Sequence, residues 1–452
     1  MSSCTRRTFV QNSLTGAAAF SLGMSLPRAG QAESANEKVV LALIGAGGRG
    51  RGLIGQMAAV KNVAVKYICD AEQSRAAACA KEVEGVQGAA PQVVTDMRKV
   101  LDDQQVHAVV VATPEQWHAL ATIWACQAGK DVYVEKCISR KVEEGRKMIE
   151  AARKYRRIVQ AGTQTRATPY AASARKYIQE GNLGQVLLVK VFFMQPNYVY
   201  GGYPMKRPPD SAPPPGLDWD AWLGPAPERP YNTHRHRNWY GYWDYSGGNG
   251  SDAIHLIDLA RMVLGDPPHP KSVQCTGGRW QYSDGGEMPD CQIVAFEYDK
   301  MALTAEITGF SPYMKKETAE TRSGAKFPYW PQTGTRVEIY GTKRMMCIGR
   351  HGGGWQVFVE DGKVADEEHG REGDQYAIPH FIECIRTRGP CQADIEPGHY
   401  SACLEHLANI AYVTGNQKLR FDGQAEKFIG NEEANKHLKA AARKQYRIPD
   451  PI

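Results

Sequence analysis

The chain lacks the features that mark several large protein classes. No run of about 20 continuous apolar residues occurs, so no segment has the length to cross a bilayer as a helix. No basic run interleaved with aromatics is present. A formal net charge of +6 over 452 residues is too small to argue for nucleic acid or a membrane surface. The eleven cysteines include no C-x-x-C pair, and no Ser/His/Asp or Cys/His arrangement stands out. No metal site is expected, because His234 and His236 lie two apart with arginines between, a poor spacing for ligands. Internal repeats are absent, and low complexity is limited to a proline cluster at 208–215. The composition is ordinary for a globular protein, 42% hydrophobic and 23% charged, in a chain long enough for two domains.

Acidic residues are missing from the start, where nothing acidic precedes Glu33. Thr5-Arg6-Arg7-Thr8-Phe9-Val10 is a twin-arginine pattern. A short Gly/Ala-rich apolar stretch and Ala29-Gly30-Gln31-Ala32 follow it. Residues 1–32 therefore read as a twin-arginine export signal, cut near Ala32, and the mature protein is expected to be soluble and periplasmic. Loss of Arg6, Arg7 and Arg28 would leave a charge near 6 − 3 = +3. This route carries folded proteins, so a cofactor would be loaded in the cytoplasm and stay tightly bound. Disulfides are permitted outside, but folding in a reducing compartment argues against a dense framework. Cys69, Cys126, Cys137 and Cys403 read as buried small hydrophobes.

Lys38–Gly50 reads KVVLALIGAGGRG, an apolar run that breaks into Gly-x-Gly-x-x-Gly at Gly45, Gly47 and Gly50 and continues as a helix-like segment. Strand, glycine turn and helix in that order make an anion site. Gly45 allows the tight turn, Gly47 lets the backbone approach a pyrophosphate, and Gly50 lets the helix pack closely on the strand. A second strand, VAVKYICD, ends at Asp70. A carboxylate there can accept from both ribose hydroxyls and would repel a 2′-phosphate. The expected cofactor is NAD, with NADP kept as a minor alternative by nearby Arg75.

Strand and helix patterns alternate to about Gln164. AVVVATP and DVYVEK are buried strands, so residues 36–164 read as a doubly wound parallel-sheet domain of the Rossmann type. Residues 165–430 read as an α+β domain on an open, largely antiparallel sheet, because their strand candidates alternate apolar and polar residues. An open half-apolar face points to a homodimer or homotetramer. Residues 195–245 form a long segment rich in Pro, Tyr and Trp, suited either to stacking on sugar rings or to packing the loop down. Residues 431–452 are a polar tail that could wrap a neighbour.

Two residues have the chemistry of a reacting site. Lys136 ends the strand DVYVEK, where the carboxyl edge of a parallel sheet opens on the cofactor crevice. A lysine there can hold a substrate hydroxyl as its proton leaves. His255 lies in GGNGSDAIHLID, with Asp252 and Asp258 at three-residue spacing on about one helix face. A histidine beside a carboxylate is a plausible proton acceptor at neutral pH. Asp258 reads as an orienting residue.

The motifs GAGGRG, Asp70, ATPEQWH at 112–118, YVEKC at 133–137, AGTQTR at 161–166 and GGNGSDAIHLID at 247–258 together resemble the Gfo/Idh/MocA oxidoreductases, which include glucose-fructose oxidoreductase and inositol dehydrogenase. The likeness extends over nearly the whole mature chain and points to an exported branch. It implies a Rossmann domain followed by an α/β domain, with Lys136 and His255 as catalytic residues. It also implies cofactor contacts from Gly45, Gly47, Gly48, Arg49, Gly50, Asp70, Thr113, Pro114, His118, Glu135, Lys136 and Gln164. Two departures stand out. Cys137 replaces a family proline, leaving the backbone after Lys136 less fixed. Four residues before His255 stands Ser251 instead of Asp, and Asp252, one step off, would be turned by about 100° on a helix. The first reading is hydride transfer at a ring hydroxyl of a sugar, cyclitol or glycoside. The second is glycoside cleavage through transient oxidation and elimination, with Tyr240 or Tyr242 as a second base. The third is a non-catalytic sugar-sensing protein.

Overall fold

A strand buried on both faces needs apolar residues at successive positions, and VVLALI, AVVV and DVYV supply them. In the computed structural model, which describes residues 38–195, 208–248, 252–283 and 285–452, these segments lie side by side. The strands are β1 (Val39–Ile44), β2 (Val63–Cys69), β3 (Gln92–Val94), β4 (Ala108–Val111), β5 (Asp131–Val134) and β6 (Val159–Ala161). They form one sheet in the order β3-β2-β1-β4-β5-β6, with every pairing parallel. The order reverses between β1 and β4, and ligands of doubly wound sheets bind at that reversal. The twin-arginine segment lies outside the described residues.

The Rossmann core is completed from far along the chain. Helix Asp374–Thr387 places Ile378, Phe381, Ile382 and Ile385 among Leu53, Ile54 and Met57 of the first helix. Phe381 meets Tyr133 of β5 edge-on at 5.7 Å. That docking also holds Asp374, at the start of the same helix, beside the cofactor cleft.

The second sheet has ten strands, β7 (Val186–Met194), β8 (Ser272–Gly278), β9 (Cys291–Glu297), β10 (Ala302–Thr308), β11 (Thr335–Gly341), β12 (Met345–Gly349), β13 (Trp355–Phe358), β14 (Val364–Glu368), β15 (Leu419–Asp422) and β16 (Lys427–Phe428). Their order is β14-β13-β12-β11-β7-β10-β9-β8-β15-β16, antiparallel except where β7 pairs with β10. Helices Pro169–Gln179, Ile254–Val263 and Ile395–Val413 cover one face. Gln274, Thr276, Ile293, Ala295 and Glu297 stand exposed on the other. The stretch 335–350 is a hairpin of β11 and β12, its turn closed by the Gly341 N–H donating to Arg344 O at 3.0 Å. The edge strands β3 and β14 are largely exposed and carry no clear apolar alternation, so nothing in their sequence announces them.

The aromatic segment, over its described part 208–245, is mostly a small core of its own. Trp219, Trp222, Tyr231, Tyr242 and Tyr245 are buried together, with Trp219 and Trp222 stacked at 4.6 Å. The polar tail folds back on its own chain rather than reaching outward. Arg443 Nε donates to the Gly224 carbonyl at 2.7 Å, Lys147 pairs with Asp450 at 2.9 Å, and Ile452 is buried. Among the described residues no helix is long and apolar enough to cross a membrane.

Candidate active site

The glycine turn fits a diphosphate for reasons visible at each Cβ position. Gly45 has φ +97°, and a Cβ there would lie 2.6 Å from the Ala112 backbone. A Cβ on Gly50 would lie 2.1 Å from the Gly45 carbonyl oxygen, so only glycine lets the helix sit this close to the turn. Gly47 and Gly48, by contrast, face open space, the nearest atom to a Gly47 Cβ being Arg75 at 3.9 Å. Helix Gly48–Ala58 starts at Gly47 with no side chain capping it. Its first N–H groups thus point where an anion would lie.

Asp70 closes β2 beside this turn. Its carboxylate accepts the Ala46 N–H at 2.7 Å and the Glu72 N–H at 2.8 Å, and burial pushes its carboxyl up. A carboxylate has about four acceptor positions, so two are left for a ribose diol. Arg75, the residue that kept NADP open, donates to Glu72 at 2.7 Å. Its charge is matched before any phosphate arrives.

From Asp70 a cleft of about 990 Å³ runs past Thr113 and Pro114 to Lys136, Asp252, His255 and Arg350. Lys136 Nζ donates to Asp252 Oδ1 at 2.7 Å. His255 Nε2 lies 3.8 Å from the same oxygen, and Arg350 Nη1 lies 3.3 Å from Oδ2. Asp252 is not turned aside by a 100° helical step, because it precedes the helix. The helix begins at Ile254, and Asp252 sits in the turn before it, its carbonyl accepting the His255 N–H at 3.3 Å. Ser251 lies outside the described residues. Asp258, three residues past His255, faces elsewhere: it binds Arg166 through both oxygens at 2.8–2.9 Å and accepts from Ser401 at 2.7 Å.

The charges at this end act on one another. Burial would push the Asp252 carboxyl up, but Lys136 and Arg350 hold it well below the usual carboxylate range. Burial first, then Arg350 and Lys136, holds His255 well below the usual imidazole range. His255 is therefore neutral near pH 7. Its Nδ1 is buried with no hydrogen-bond partner among the described residues. A neutral histidine beside a fixed carboxylate–ammonium pair can take a proton from a hydroxyl held by the lysine.

Two expected cofactor residues on the cleft lining also hold its frame together. Arg49 bridges Glu135 at 2.7 Å and Asp374 at 2.6 and 2.8 Å, so its guanidinium is a tie between distant segments. Both ring nitrogens of His118 face carbonyl oxygens, Cys137 O at 2.7 Å and Thr113 O at 2.8 Å. His118 thus braces the wall and has no nitrogen left to offer a ligand. Thr113 Oγ1 and Gln164 Oε1, in contrast, line the cleft, buried and without partners. They suit a cofactor's polar atoms.

The backbone after Lys136 is fixed even without a proline. The Cys137 N–H donates to Glu115 Oε1 at 3.2 Å, and the other Glu115 oxygen accepts the Gly247 N–H. Glu115 and Arg350 are the residues that reading the sequence missed. Glu115 lay inside the recognised ATPEQWH. Arg350 had only the glycine run Gly352–Gly354 after it as a signal. Of the two tyrosines, Tyr240 lines the cleft and stacks on Trp239 at 3.6 Å. The residue as a whole is 38% exposed, and desolvation within the cleft pushes its phenol up to about 12. Tyr242 is fully buried away from the cleft, its hydroxyl 2.6 Å from His234 Nδ1 and its ring under Arg235, so it is no second base.

Comparison with known proteins agrees with the two-domain fold. A family model described as an oxidoreductase family, NAD-binding Rossmann fold, matches residues 39–163. Its companion, the oxidoreductase family's C-terminal alpha/beta domain, matches 169–299 and 370–448, and together they take in most of the chain. The chain is 30% identical to levoglucosan dehydrogenase of Pseudarthrobacter phenanthrenivorans over 172 residues, 38% of this chain and 36% of that enzyme. It is 28% identical to a glycosyl hydrolase family 109 protein of Shewanella over 120 residues, 26% of each. The matched part is thus well under two thirds of either relative's length. Among solved structures, the WlbA dehydrogenase of Bordetella pertussis in complex with NADH and UDP-GlcNAcA shares the fold, with a TM-score of 0.60 at 18% identity. That match covers 85% of this chain and 98% of that one.

Proposed function

We propose that this chain, which belongs to the Gfo/Idh/MocA family of oxidoreductases, oxidises or reduces a ring hydroxyl of a sugar, cyclitol or glycoside using bound NAD. The observation that carries the reading is the Lys136–Asp252–His255 group at 2.7 and 3.8 Å, at one end of a cleft whose other end is Asp70. When bound, the nicotinamide supplies the hydride acceptor or donor. Lys136 holds the substrate hydroxyl, and Asp252 fixes the direction of its ammonium. Neutral His255 receives the hydroxyl proton during oxidation and returns it during reduction. Arg350 keeps Asp252 ionised and His255 uncharged, so both are ready in the resting site. Gly45, Gly47 and Gly50 would hold the diphosphate, Asp70 the ribose diol, and Thr113 and Gln164 other polar atoms of the dinucleotide.

Glycoside cleavage through transient oxidation is the second reading, favoured by the hydrolase relative and by Tyr240 on the cleft wall. A phenol raised to about 12 stays protonated at neutral pH. Tyr240 is then better suited to protonate a leaving glycosidic oxygen than to act as a base. The twin-arginine pattern at Thr5–Val10 supports export in a folded, cofactor-loaded state and action in the periplasm. The test begins with absorbance and mass spectrometry of the purified protein to find a co-purifying dinucleotide. Pyranosides, inositols and glycosides are then supplied without added NAD. A persistent rise or fall at 340 nm marks the first reading. Free sugar with no net change marks the second. A protein that holds no pyridine nucleotide sinks both and leaves the sensing role.

A further inference from the structure

The aromatic segment does more than pack itself down. It crosses the cofactor cleft and is tied on both sides. On one side, the Gln73 N–H donates to Gly216 O at 2.9 Å and the Asp218 N–H to Ala71 O at 2.9 Å, directly after Asp70. On the other, Trp117 Nε1 donates to Ala221 O at 3.0 Å and Gln116 Nε2 to Trp222 O at 3.0 Å, directly after β4. A Cβ on Gly224, whose φ is +52°, would lie 2.1 Å from the Trp117 ring, so the strap lies tight on that wall. The tail locks it from outside, with Arg443 donating to Gly224 O and Asp220 O at 2.7 and 2.9 Å.

Inside the strap, the short helix Thr233–Arg237 carries His236 into the cleft. The side chain is 4% exposed, within an aromatic cage of Trp219, Trp222 and Tyr231 at centroid distances of 6.0, 5.3 and 5.8 Å. Neither ring nitrogen has a hydrogen-bond partner among the described residues. The nearest carboxylate, Glu72, is 4.0 Å from Nε2, beyond hydrogen-bonding reach. Burial, then Arg75, pushes the imidazole down to about 4, so it is neutral near pH 7, one nitrogen a donor and one an acceptor. A buried polar ring with both nitrogens unpaired is costly unless a ligand pairs it. Its charged neighbours are Arg75, Glu72 and Arg237, and Asp70, the acid placed to accept from an adenosine ribose, lines the same cleft.

We propose that His236 is a cofactor-binding residue, hydrogen-bonding a ribose hydroxyl on the adenosine side from the strap. The strap thereby belongs to the dinucleotide site although it lies outside the Rossmann domain. This rests on the NAD reading above. It gives that reading a physical means of retention, because the dinucleotide cannot leave past the strap without breaking the contact.

The test compares holo-protein of the wild type with His236→Phe, which fills the cage but cannot hydrogen-bond, and His236→Gln, which can. Dissociation of NADH is followed by fluorescence after dilution, and residual dinucleotide is measured after gel filtration. The phenylalanine variant is expected to release the cofactor about tenfold faster, and glutamine to recover most of the retention. Should the larger ring not be accommodated, His236→Leu repeats the comparison. Release at the wild-type rate from the apolar variant overturns the proposal, as does glutamine leaking as fast as phenylalanine. A wild-type protein with no dinucleotide fails the NAD reading itself, which separates the two failures.

Discussion

The two ends of the cleft are built by different means. At the dinucleotide end, Gly45, Gly47, Gly50 and Asp70 all come from one βαβ unit, and what matters is backbone: a turn, a close approach, an uncapped helix start. At the reacting end, Lys136, Asp252, His255 and Arg350 come from three separate segments, and what matters is charge: each group sets the state of the next. Substitutions should therefore act on shape at one end and on ionisation at the other. The turn of the first kind admits no Cβ at Gly45 or Gly50, where backbone atoms would lie 2.6 and 2.1 Å away. A site of the second kind tolerates volume change but no lost charge.

The sharpest way to break this contrast is Lys136→Ala. Turnover should fall by about 10²–10⁴ while the amount of bound dinucleotide stays as in the wild type. Kinetics and mass spectrometry on one preparation check both. If cofactor content falls in step with rate, the two ends are not separable. Gly50→Ala tests the other end. The new methyl meets the Gly45 carbonyl oxygen at 2.1 Å, so the turn must open and dinucleotide retention should drop, by more than tenfold on equilibrium dialysis. Unchanged retention would mean that the close packing is dispensable.

Arg350→Leu sharpens the electrostatic half. The Arg350 charge helps hold His255 well below its ordinary value, so removing it raises the pKa of His255. Protonation then begins at higher pH, and the acid limb of kcat/KM should move upward toward the ordinary imidazole range. Asp252 moves in the same direction, because Arg350 also holds it down. A pH–rate profile with an unmoved acid limb would show that burial alone sets these groups. The smallest effect separates the tyrosines. Tyr242→Phe should cost about 1 kcal/mol of stability for its lost bond to His234 and leave turnover unchanged. Tyr240→Phe should leave stability alone and lower cleavage of glycosides more than oxidation of free sugars. Denaturant titration and paired assays distinguish them.

Legibility followed the same division. The glycine turn and the acid after β2 can be read because each residue's role is fixed by neighbours a few positions away. The motifs mark His118 and Arg49 as cofactor contacts, and the fold gives both a framing role as well. Their partners, Cys137 O in one case and Glu135 and Asp374 in the other, are not visible along the chain. The place of Asp252 is not legible from its spacing, because a 100° step per residue applies only inside a helix and the helix starts two residues later. Glu115 and Arg350 gave little warning, since a buried carboxylate or guanidinium is defined by what surrounds it. The aromatic segment could be recognised as important, but its role as a strap depended on hydrogen bonds to Ala71 and Gln73 about 145 positions earlier.

The sequence by itself determined the parallel sheet, its glycine turn, the acid that closes β2 and the strand-end position of Lys136, because apolar runs, glycine conformations and strand ends are local properties. Only the tertiary structure decided which charge neutralises which. It brought Asp252 to Lys136 and His236 into the cleft that Asp70 lines, and it used a helix from residue 374 onward to complete the first domain. Electrostatic partners and packing faces depend on distance in space, and a chain that returns to its own start after hundreds of residues fixes those distances only when folded.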